Sequence, residues 1–344
     1  FYKIRTITSS DVVDDNKIVA LTISNTLIAE KLNEYCNDIT NPIYYGADPT
    51  GTIDSSTAIN KCIQANLGGA ITFTPGKYKV DNPIETPYLV SEQVNINFNG
   101  STLFTNEDLD YVIGIGYYNV TNTMPNDDDY TTETCYAILE NFVINAPNSE
   151  VGILTHQNYW YPRLDNFSIF NTIIGIKLGT SNSETWSSDA SITNGLIQCK
   201  SYLNTLTRGI VVNGYDNKFT NLRVYNAYIG IEDKKGGNYY NNIHIYLYGH
   251  LNDRETADFI ATYPIYIAFL NSCVYNSFIN VIFDSYNTGF KSTATNFDGK
   301  FNQCQYITNV TGYDTKIFDF SGGTIQALTI ENCTFDANSH SQNG

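Results

Sequence analysis

Residues 44–80 read YYGADPTGTIDSSTAINKCIQANLGGAITFTPGKYKV, and no other stretch is as informative about the fold. It begins with a turn rich in Gly, Asp and Pro, the residue types that set a positive φ or a rigid corner. A short helix is predicted next, because a Ser-Ser-Thr run precedes a pattern that places Ala58, Ile59 and Cys62 on one side. A Gly-Gly break then leads into a strand that ends at Pro75-Gly76.

This segment resembles the opening block of the pectate-lyase-like superfamily of right-handed parallel β-helices. The matching pieces are Gly46-Ala47-Asp48, Asp54-Ser55, Ala58-Ile59, Gly68-Gly69 and Pro75-Gly76-Lys77-Tyr78. In that family the block caps the N-terminal end of the solenoid. The resemblance therefore implies an all-β fold, a right-handed single-stranded parallel β-helix. It identifies a scaffold, and a scaffold does not fix the chemistry.

Short runs of the form Asn-apolar-x-apolar recur downstream, and most are followed by a Gly-apolar pair. The runs begin at Asn141, Asn166, Asn194, Asn221, Asn242, Asn280 and Asn332, with starts 25, 28, 27, 21, 38 and 52 residues apart. A period in the twenties with short strands predicts a parallel solenoid. We expect the longest gap to hold a further coil near Cys304-Gln305-Tyr306-Ile307, and the gap of 38 to hold an inserted loop near 252–255. We interpret the asparagines as a structural ladder at a corner, because stacked Asn side chains hydrogen-bond one another.

The N-terminal segment has a different pattern, and residues 10–36 are predicted to be helical. The apolar seam 18–35 follows the 3,4 spacing of a short coiled coil, with polar Asn25 inside it to fix register and oligomer state. A single amphipathic helix lying on the end of the solenoid is the alternative. The predicted organisation is an α-helical neck and oligomerisation segment at 1–40 and a β-helix domain at 41–344, of which 41–90 form the cap block.

Composition excludes several classes of function. The formal net charge of −16 argues against nucleic acid or an anionic membrane as the main partner, because proteins bind both through clusters of Lys and Arg. The sequence contains no run of 18 apolar residues, so no membrane-spanning helix is predicted. The seven cysteines form no CxxC pair and no His-spaced pattern, so we expect buried free thiols made in a reducing compartment, no metal site and no cofactor. Asp127-Asp128-Asp129 is interpreted as a solvated charge run, not as a Ca²⁺ loop.

Carboxylates on the coils are the candidates for catalysis. Hydrolysis of a glycan requires two carboxyl groups, about 5–5.5 Å apart for retention or about 6.5–9.5 Å for inversion. Neighbouring strands of a sheet lie about 4.8 Å apart, so acids at matching positions of nearby coils fall in either range. The candidate catalytic residues are Glu232, Asp233, Asp284, Glu184, Asp189 and Asp165. Strand alternation turns at least one of Glu232 and Asp233 outward.

Aromatic residues between the coils are the candidates for substrate contact, since flat rings stack on the apolar faces of sugars. The candidates are Trp160, Trp186, Tyr159, Tyr161 and Arg163. Arg163 can pair with the carboxylate of an acidic sugar.

The neck, the opening block and the Asn/Tyr-rich coils together resemble bacteriophage tailspikes, which are homotrimers assembled inside the host cell. The resemblance implies a virion tail protein that binds and depolymerises a bacterial surface polysaccharide, either capsule, O-antigen or wall polymer. Hydrolysis by paired carboxylates is the first expectation and β-elimination of a uronic-acid polymer the second. Cleavage of a phosphodiester-linked wall polymer such as teichoic acid, a non-catalytic receptor-binding fibre and a secreted pectate-lyase-like enzyme remain alternatives.

Overall fold

The computed structural model describes residues 38–87, 93–117, 136–155, 161–180, 187–247, 266–307 and 316–336. The predicted neck falls outside these residues up to position 37. The described part contains a 3-10 helix at Pro42–Tyr45, an α-helix, α1, at Ser56–Ala65, and 22 strands numbered in chain order. The strands are β1 Ala70–Thr72, β2 Lys77–Lys79, β3 Ile84–Pro87, β4 Gln93–Phe104, β5 Tyr111–Tyr117, β6 Tyr136–Asn145, β7 Val151–Thr155, β8 Arg163–Phe170, β9 Ile174–Leu178, β10 Ser191–Gln198, β11 Arg208–Val212, β12 Lys218–Tyr225, β13 Ile229–Asp233, β14 Asn238–Tyr246, β15 Ile267–Asn271, β16 Tyr275–Asp284, β17 Thr288–Ser292, β18 Phe297–Asn302, β19 Gln305–Ile307, β20 Lys316–Asp319, β21 Ile325–Glu331 and β22 Thr334–Asp336.

The opening block contains the predicted turn and short helix. Gly46 has the left-handed φ of 97° that ends the 3-10 helix. The carboxylate of Asp48 accepts hydrogen bonds from three backbone N–H groups of the following turn, at 2.9–3.0 Å. Helix α1 begins at Ser56, whose N–H and hydroxyl both donate to Asp54, and the helix buries the predicted apolar side.

The strands pair in parallel throughout and form two sheets, so the predicted parallel β-helix is confirmed. One sheet has 13 strands and runs from β1 through β4, β6 and the even-numbered strands to β18 and β21. The other has nine strands and runs from β3 through the odd-numbered strands to β17 and β20. Each strand therefore pairs with the equivalent strand of the next coil, as a solenoid requires.

Each long strand of the 13-stranded sheet turns at one residue with a left-handed backbone, which we call the Asn corner. Seven Asn corners have φ between 51° and 59°: Asn141, Asn166, Asn194, Asn221, Asn242, Asn280 and Asn332. Asn tolerates this conformation better than other residues with a Cβ, because its side chain bonds locally. The side chains stack, for example from Asn242 Nδ2 to Asn221 Oδ1 at 2.7 Å and from Asn280 Nδ2 to Asn242 Oδ1 at 2.9 Å. The predicted structural ladder is confirmed.

The corners divide the solenoid into three faces. The first face is the strand segment before each Asn corner, the second face is the segment after it, and the third face is the nine-stranded sheet. Side chains alternate inward and outward along the first and second faces, so β12 buries Phe219, Leu222 and Val224 and leaves Arg223 exposed. Aromatic rings stack through the interior, with centroids 4.9 Å apart for Phe219 and Tyr240.

A column of glycines on the third face explains the recurring Gly-apolar pairs. Gly152, Gly175, Gly209 and Gly230 are buried at equivalent positions of consecutive coils. A Cβ at Gly209 would overlap the side chain of Val224 and the carbonyl oxygen of Gly230. Glycine at these four positions therefore lets the third face pack closely against the second, and the small Ala268 occupies the equivalent position of the next coil.

The two long intervals between repeats have different causes. In the longer one, β18 and β19 supply the expected extra coil, and β19 contains Gln305, Tyr306 and Ile307. In the other, β14 pairs directly with β16, so residues 248–265 are an insertion between β14 and β15 and not a missing coil. The insertion itself lies outside the described residues.

The described cysteines are free thiols. Cys62, Cys199, Cys273 and Cys304 are buried, and Cys333 is half-buried. No helix among the described residues has the length and apolarity needed to span a membrane.

Candidate functional site

The candidate acids that the structure describes do not form one cluster, because the three faces separate them. Asp165 points outward from the first face, Asp284 ends the second face and Glu232 points outward from the third. Asp189 lies at the corner where the first face begins. Paired carboxylates therefore have to be sought around each acid in turn.

The corner at the start of the first face places two acids on adjacent coils. Strands β8, β10, β12, β14 and β16 are in register, so the residues five positions before their Asn corners stack on one another. This first corner column consists of Tyr161, Asp189, Asp216, Gly237 and Tyr275. The N–H of Tyr161 donates to the Ser188 carbonyl at 3.0 Å, and that of Asp189 to the Tyr215 carbonyl at 3.2 Å.

Asp189 and Asp216 form the carboxylate pair of this column. Both have left-handed backbones, with φ of 55° and 57°. Adjacent coils bring their backbones to about 4.8 Å, close to the separation of two acids in a retaining glycosidase. Asp216 is exposed and Asp189 is half-buried. The pair thus faces solvent with unequal burial.

The environment shifts the pKa of Asp189. Partial burial is the largest cause and raises this pKa, and the negative charge of Asp216 raises it further. Lys218 opposes both effects. Two carboxyl groups whose surroundings separate their pKa values can divide the roles of proton donor and nucleophile.

Aromatic and cationic side chains flank the carboxylate pair. Tyr161 directly precedes the pair in the same column, whereas Tyr275 lies two coils after Asp216, beyond Gly237, and has an exposed fraction of 41%. Arg163 and Lys218, two residues further along their strands, are exposed on the first face. The arrangement can hold a sugar chain along the solenoid axis, with rings on both sides of the acids and cations beside them.

Asp233 is not a candidate for catalysis in this structure, because its side chain is fully buried. Its carboxylate accepts hydrogen bonds from Asn238 Nδ2 at 2.9 Å, Tyr240 Oη at 2.7 Å and Asn276 Nδ2 at 3.0 Å. The backbone N–H groups of Lys235 and Gly236 donate to its other oxygen. Asp233 therefore joins three coils from inside and cannot reach a substrate.

Two further predicted acids are occupied by other contacts. Glu232 does face outward, as predicted for one of the two neighbours, and pairs with Arg208 at 3.2 Å and Lys234 at 3.6 Å. Asp165 accepts hydrogen bonds from Thr193 Oγ1 at 2.7 Å and Asn194 Nδ2 at 2.8 Å. The latter bond extends the corner ladder, which gives Asp165 a structural role.

Four of the predicted residues lie outside the described part of the chain, namely Glu184, Trp186, Tyr159 and Trp160. Both segments that contain them lead into the first corner column, since 160 directly precedes Tyr161 and 186 comes three residues before Asp189. Of the predicted residues, the structure brings together Tyr161, Arg163 and Asp189.

Asp216, Lys218 and Tyr275 are not among the residues predicted from the sequence. The signal for them was present, because all members of the first corner column lie five residues before an Asn corner. Aligning the coils on their asparagines would have paired Asp216 with Asp189. Among the described residues, no group of three His, Cys, Asp or Glu side chains is placed to hold a metal ion.

Comparison with solved structures finds the same parallel β-helix fold in viral proteins. ORF18 of Geobacillus virus E2 matches with a TM-score of 0.55 at 14% identity, over 92% of this chain and 65% of the viral chain. The enzymatically active domain of tailspike protein 2 from bacteriophage CBA120 matches with a TM-score of 0.51 at 12% identity, over 87% of this chain and 46% of that one. The tailspike protein of Acinetobacter baumannii phage AM24 gives a TM-score of 0.51 at 11% identity, over 87% and 54%.

The chain spans less than two thirds of the length of each of these viral proteins. At such identities the likeness concerns the fold alone. No protein-family model and no curated protein sequence matches the chain.

Proposed function

We propose that the chain is part of a phage tailspike that binds a bacterial surface polysaccharide and hydrolyses it with Asp189 and Asp216. The observation that carries this proposal is that Asp189 and Asp216 occupy one position of adjacent coils, where the charge of Asp216 acts on Asp189. The tailspike fold supports the substrate class, since two of the viral proteins with this fold are tailspikes, one described as an enzymatically active domain.

The unequal surroundings of the two acids suggest their roles. Asp189, whose pKa is raised, acts as the general acid and donates its proton to the glycosidic oxygen of the leaving sugar. Asp216 attacks the anomeric carbon and forms a glycosyl ester. The ionised Asp189 then takes a proton from water, which attacks the same carbon and releases Asp216. The spacing of adjacent coils predicts retention of configuration, because a water molecule does not fit between the carboxylates at that distance.

Cleavage assays test this proposal. We expect purified capsular or wall polymer to yield new reducing ends, and NMR to show a first product with the configuration of the substrate. Asp189→Asn and Asp216→Asn should each lower kcat by about a hundredfold or more. Asp165→Asn is the control, since Asp165 bonds to the corner ladder, and it should keep most of the activity.

Other products would contradict the hydrolase. An absorbance from unsaturated sugars would favour β-elimination, and released phosphate would favour a phosphodiesterase. If the protein binds host-matched polymers but releases no product from them, the result would favour a non-catalytic receptor-binding fibre.

The proposed assembly is a homotrimer on the virion tail, built in the host cytoplasm and acting outside it. It is motivated by the seam at 18–35, which has the spacing of a coiled coil. Light scattering should give three times the mass of one chain, and the mass of a single chain would refute the trimer.

A further inference from the structure

The second face carries another cluster of side chains, separated from the carboxylate pair by the first face. In this cluster Arg223 and Tyr225 lie on β12, His244 and Tyr246 on β14, and Asp284 on β16. Arg223 is in register with His244, Tyr225 with Tyr246, and Tyr246 with Asp284. All five side chains are therefore on three consecutive coils and point outward.

A hydrogen bond holds the imidazole of His244 in place. Its Nε2 lies 3.3 Å from Asp284 Oδ2, and Asp284 Oδ1 accepts from the hydroxyl of Ser285 at 2.8 Å. Because a carboxylate only accepts, the contact selects the form of the ring that is protonated at Nε2. The other ring nitrogen remains for a ligand.

The two tyrosines form a ridge beside this pair. The rings of Tyr225 and Tyr246 meet edge to face with centroids 5.7 Å apart, and the ring of His244 lies 5.7 Å from that of Tyr246. Both tyrosines are half-buried, so part of each ring faces solvent. Packing against the neighbouring coils fixes them, which lowers the entropy that binding would otherwise lose.

Arg223 is the cation of the cluster. It is exposed and forms no ion pair with another described residue. A free guanidinium beside fixed rings, on a chain with a net charge of −16, is a local site for an anion. Its planar donors match a carboxylate in a bidentate pair.

We propose that these residues form a second glycan-binding site, which takes a sugar that bears a carboxylate. Arg223 binds the carboxylate, Tyr225 and Tyr246 contact the apolar face of the ring, and His244, positioned by Asp284, hydrogen-bonds a hydroxyl. The inference rests on the proposed function in one respect, namely that the ligand belongs to the polymer the tailspike recognises. It makes that polymer an acidic one.

Equilibrium binding to a panel of bacterial capsular and O-antigen polysaccharides tests the site. Each polymer is offered in native form and after reduction of its carboxyl groups to alcohols. The protein carries Asp189→Asn, so that the polymer is not cut during the measurement. We expect binding to at least one acidic polymer, a loss of about tenfold or more on carboxyl reduction, and a similar loss with Arg223→Ala. Tyr246→Ala should weaken binding to the native and the reduced polymer alike.

The control is Lys300→Ala, which removes the same charge from an exposed position of the first face and should leave binding unchanged. Binding that is insensitive to carboxyl reduction or to Arg223→Ala would overturn the inference, as would binding to neutral polymers alone or to none. The proposed hydrolysis is scored separately with the unmodified protein. If the protein cleaves the polymer but its binding does not depend on Arg223, only the second site is refuted. If binding depends on Arg223 but no cleavage occurs, only the proposed hydrolysis is refuted.

Discussion

Asp189 and Asp216 occupy the same position on adjacent coils, and both have a left-handed backbone, with φ of 55° and 57°. The left-handed backbone that Asn adopts elsewhere in this solenoid here carries an acid on each of two adjacent coils. The negative charges of two neighbouring carboxylates repel each other, and the charge of Asp216 raises the pKa of Asp189. The arrangement costs stability and separates the two acids chemically, as catalytic carboxylates require.

Lys218 should set the upper pH limit of activity. It lowers the pKa of Asp189, so Lys218→Met should raise that pKa and keep the general acid protonated to higher pH. We expect the basic limb of the kcat profile to move to higher pH. Lys300→Met, the same change in the same column of the first face, should not move it. A limb that stays in place or moves to lower pH would remove Asp189 from the role of proton donor.

Asn242 should stabilise the solenoid through two separable effects. It donates to Asn221 at 2.7 Å and accepts from Asn280 at 2.9 Å, and its φ is 54°. Asn242→Gly removes only the hydrogen bonds and should lower the free energy of unfolding by about 1–2 kcal/mol. Asn242→Ala also places a Cβ in the left-handed region and should cost about 1–2 kcal/mol more. Urea unfolding measures both, and an alanine variant as stable as the glycine variant would contradict the role of φ.

Gly209→Ala should disrupt the contact between the second and third faces. The added Cβ would overlap Val224 and the Gly230 carbonyl, and a loss of about 3 kcal/mol or more is expected. Combining it with Val224→Ala removes one of the two overlaps, so the pair should lose less than the sum of the single changes. Gly69→Ala is the control, because its Cβ would meet only the Asn66 carbonyl, at 3.3 Å. If the losses in the free energy of unfolding are additive, the Cβ added at position 209 does not overlap the side chain of Val224.

Glu85 should make stability fall with rising pH. Burial raises the pKa of Glu85 to about 7, although a hydrogen bond with Tyr111 opposes the shift. An acid with a raised folded-state pKa binds more protons when folded than when unfolded. The free energy of unfolding therefore falls as pH rises from the unfolded pKa, about 4.3, through the folded one.

Glu85→Gln, which has no charge to bury, isolates this effect. It should unfold at a higher temperature than the unmodified protein at pH 8, and the difference should shrink toward pH 4. Glu150→Gln, at an exposed position, is the control and should show no such dependence. A difference that is constant between pH 4 and pH 8 would contradict the assignment.

The scaffold could be predicted from the sequence, because local chemistry specifies it. The turn, helix and Gly-Gly break of 44–80 set the cap, and the recurring asparagines set the corners, since Asn is the residue with a Cβ that best tolerates a positive φ and also bonds to its copies above and below. The glycines of the third face were visible as Gly-apolar pairs. Their cause, close contact with Val224 and its equivalents, is tertiary.

Which acids share a face depends on the tertiary structure. Glu232 and Asp233 are neighbours in the chain, yet alternation turns one outward to Arg208 and the other inward to donors from two further coils. Asp189 and Asp216 are 27 residues apart in the chain and stack directly. Residue types identify carboxylates, whereas the register between coils decides which of them meet. That register depends on hydrogen bonds between strands that are distant in the chain, which no local pattern fixes.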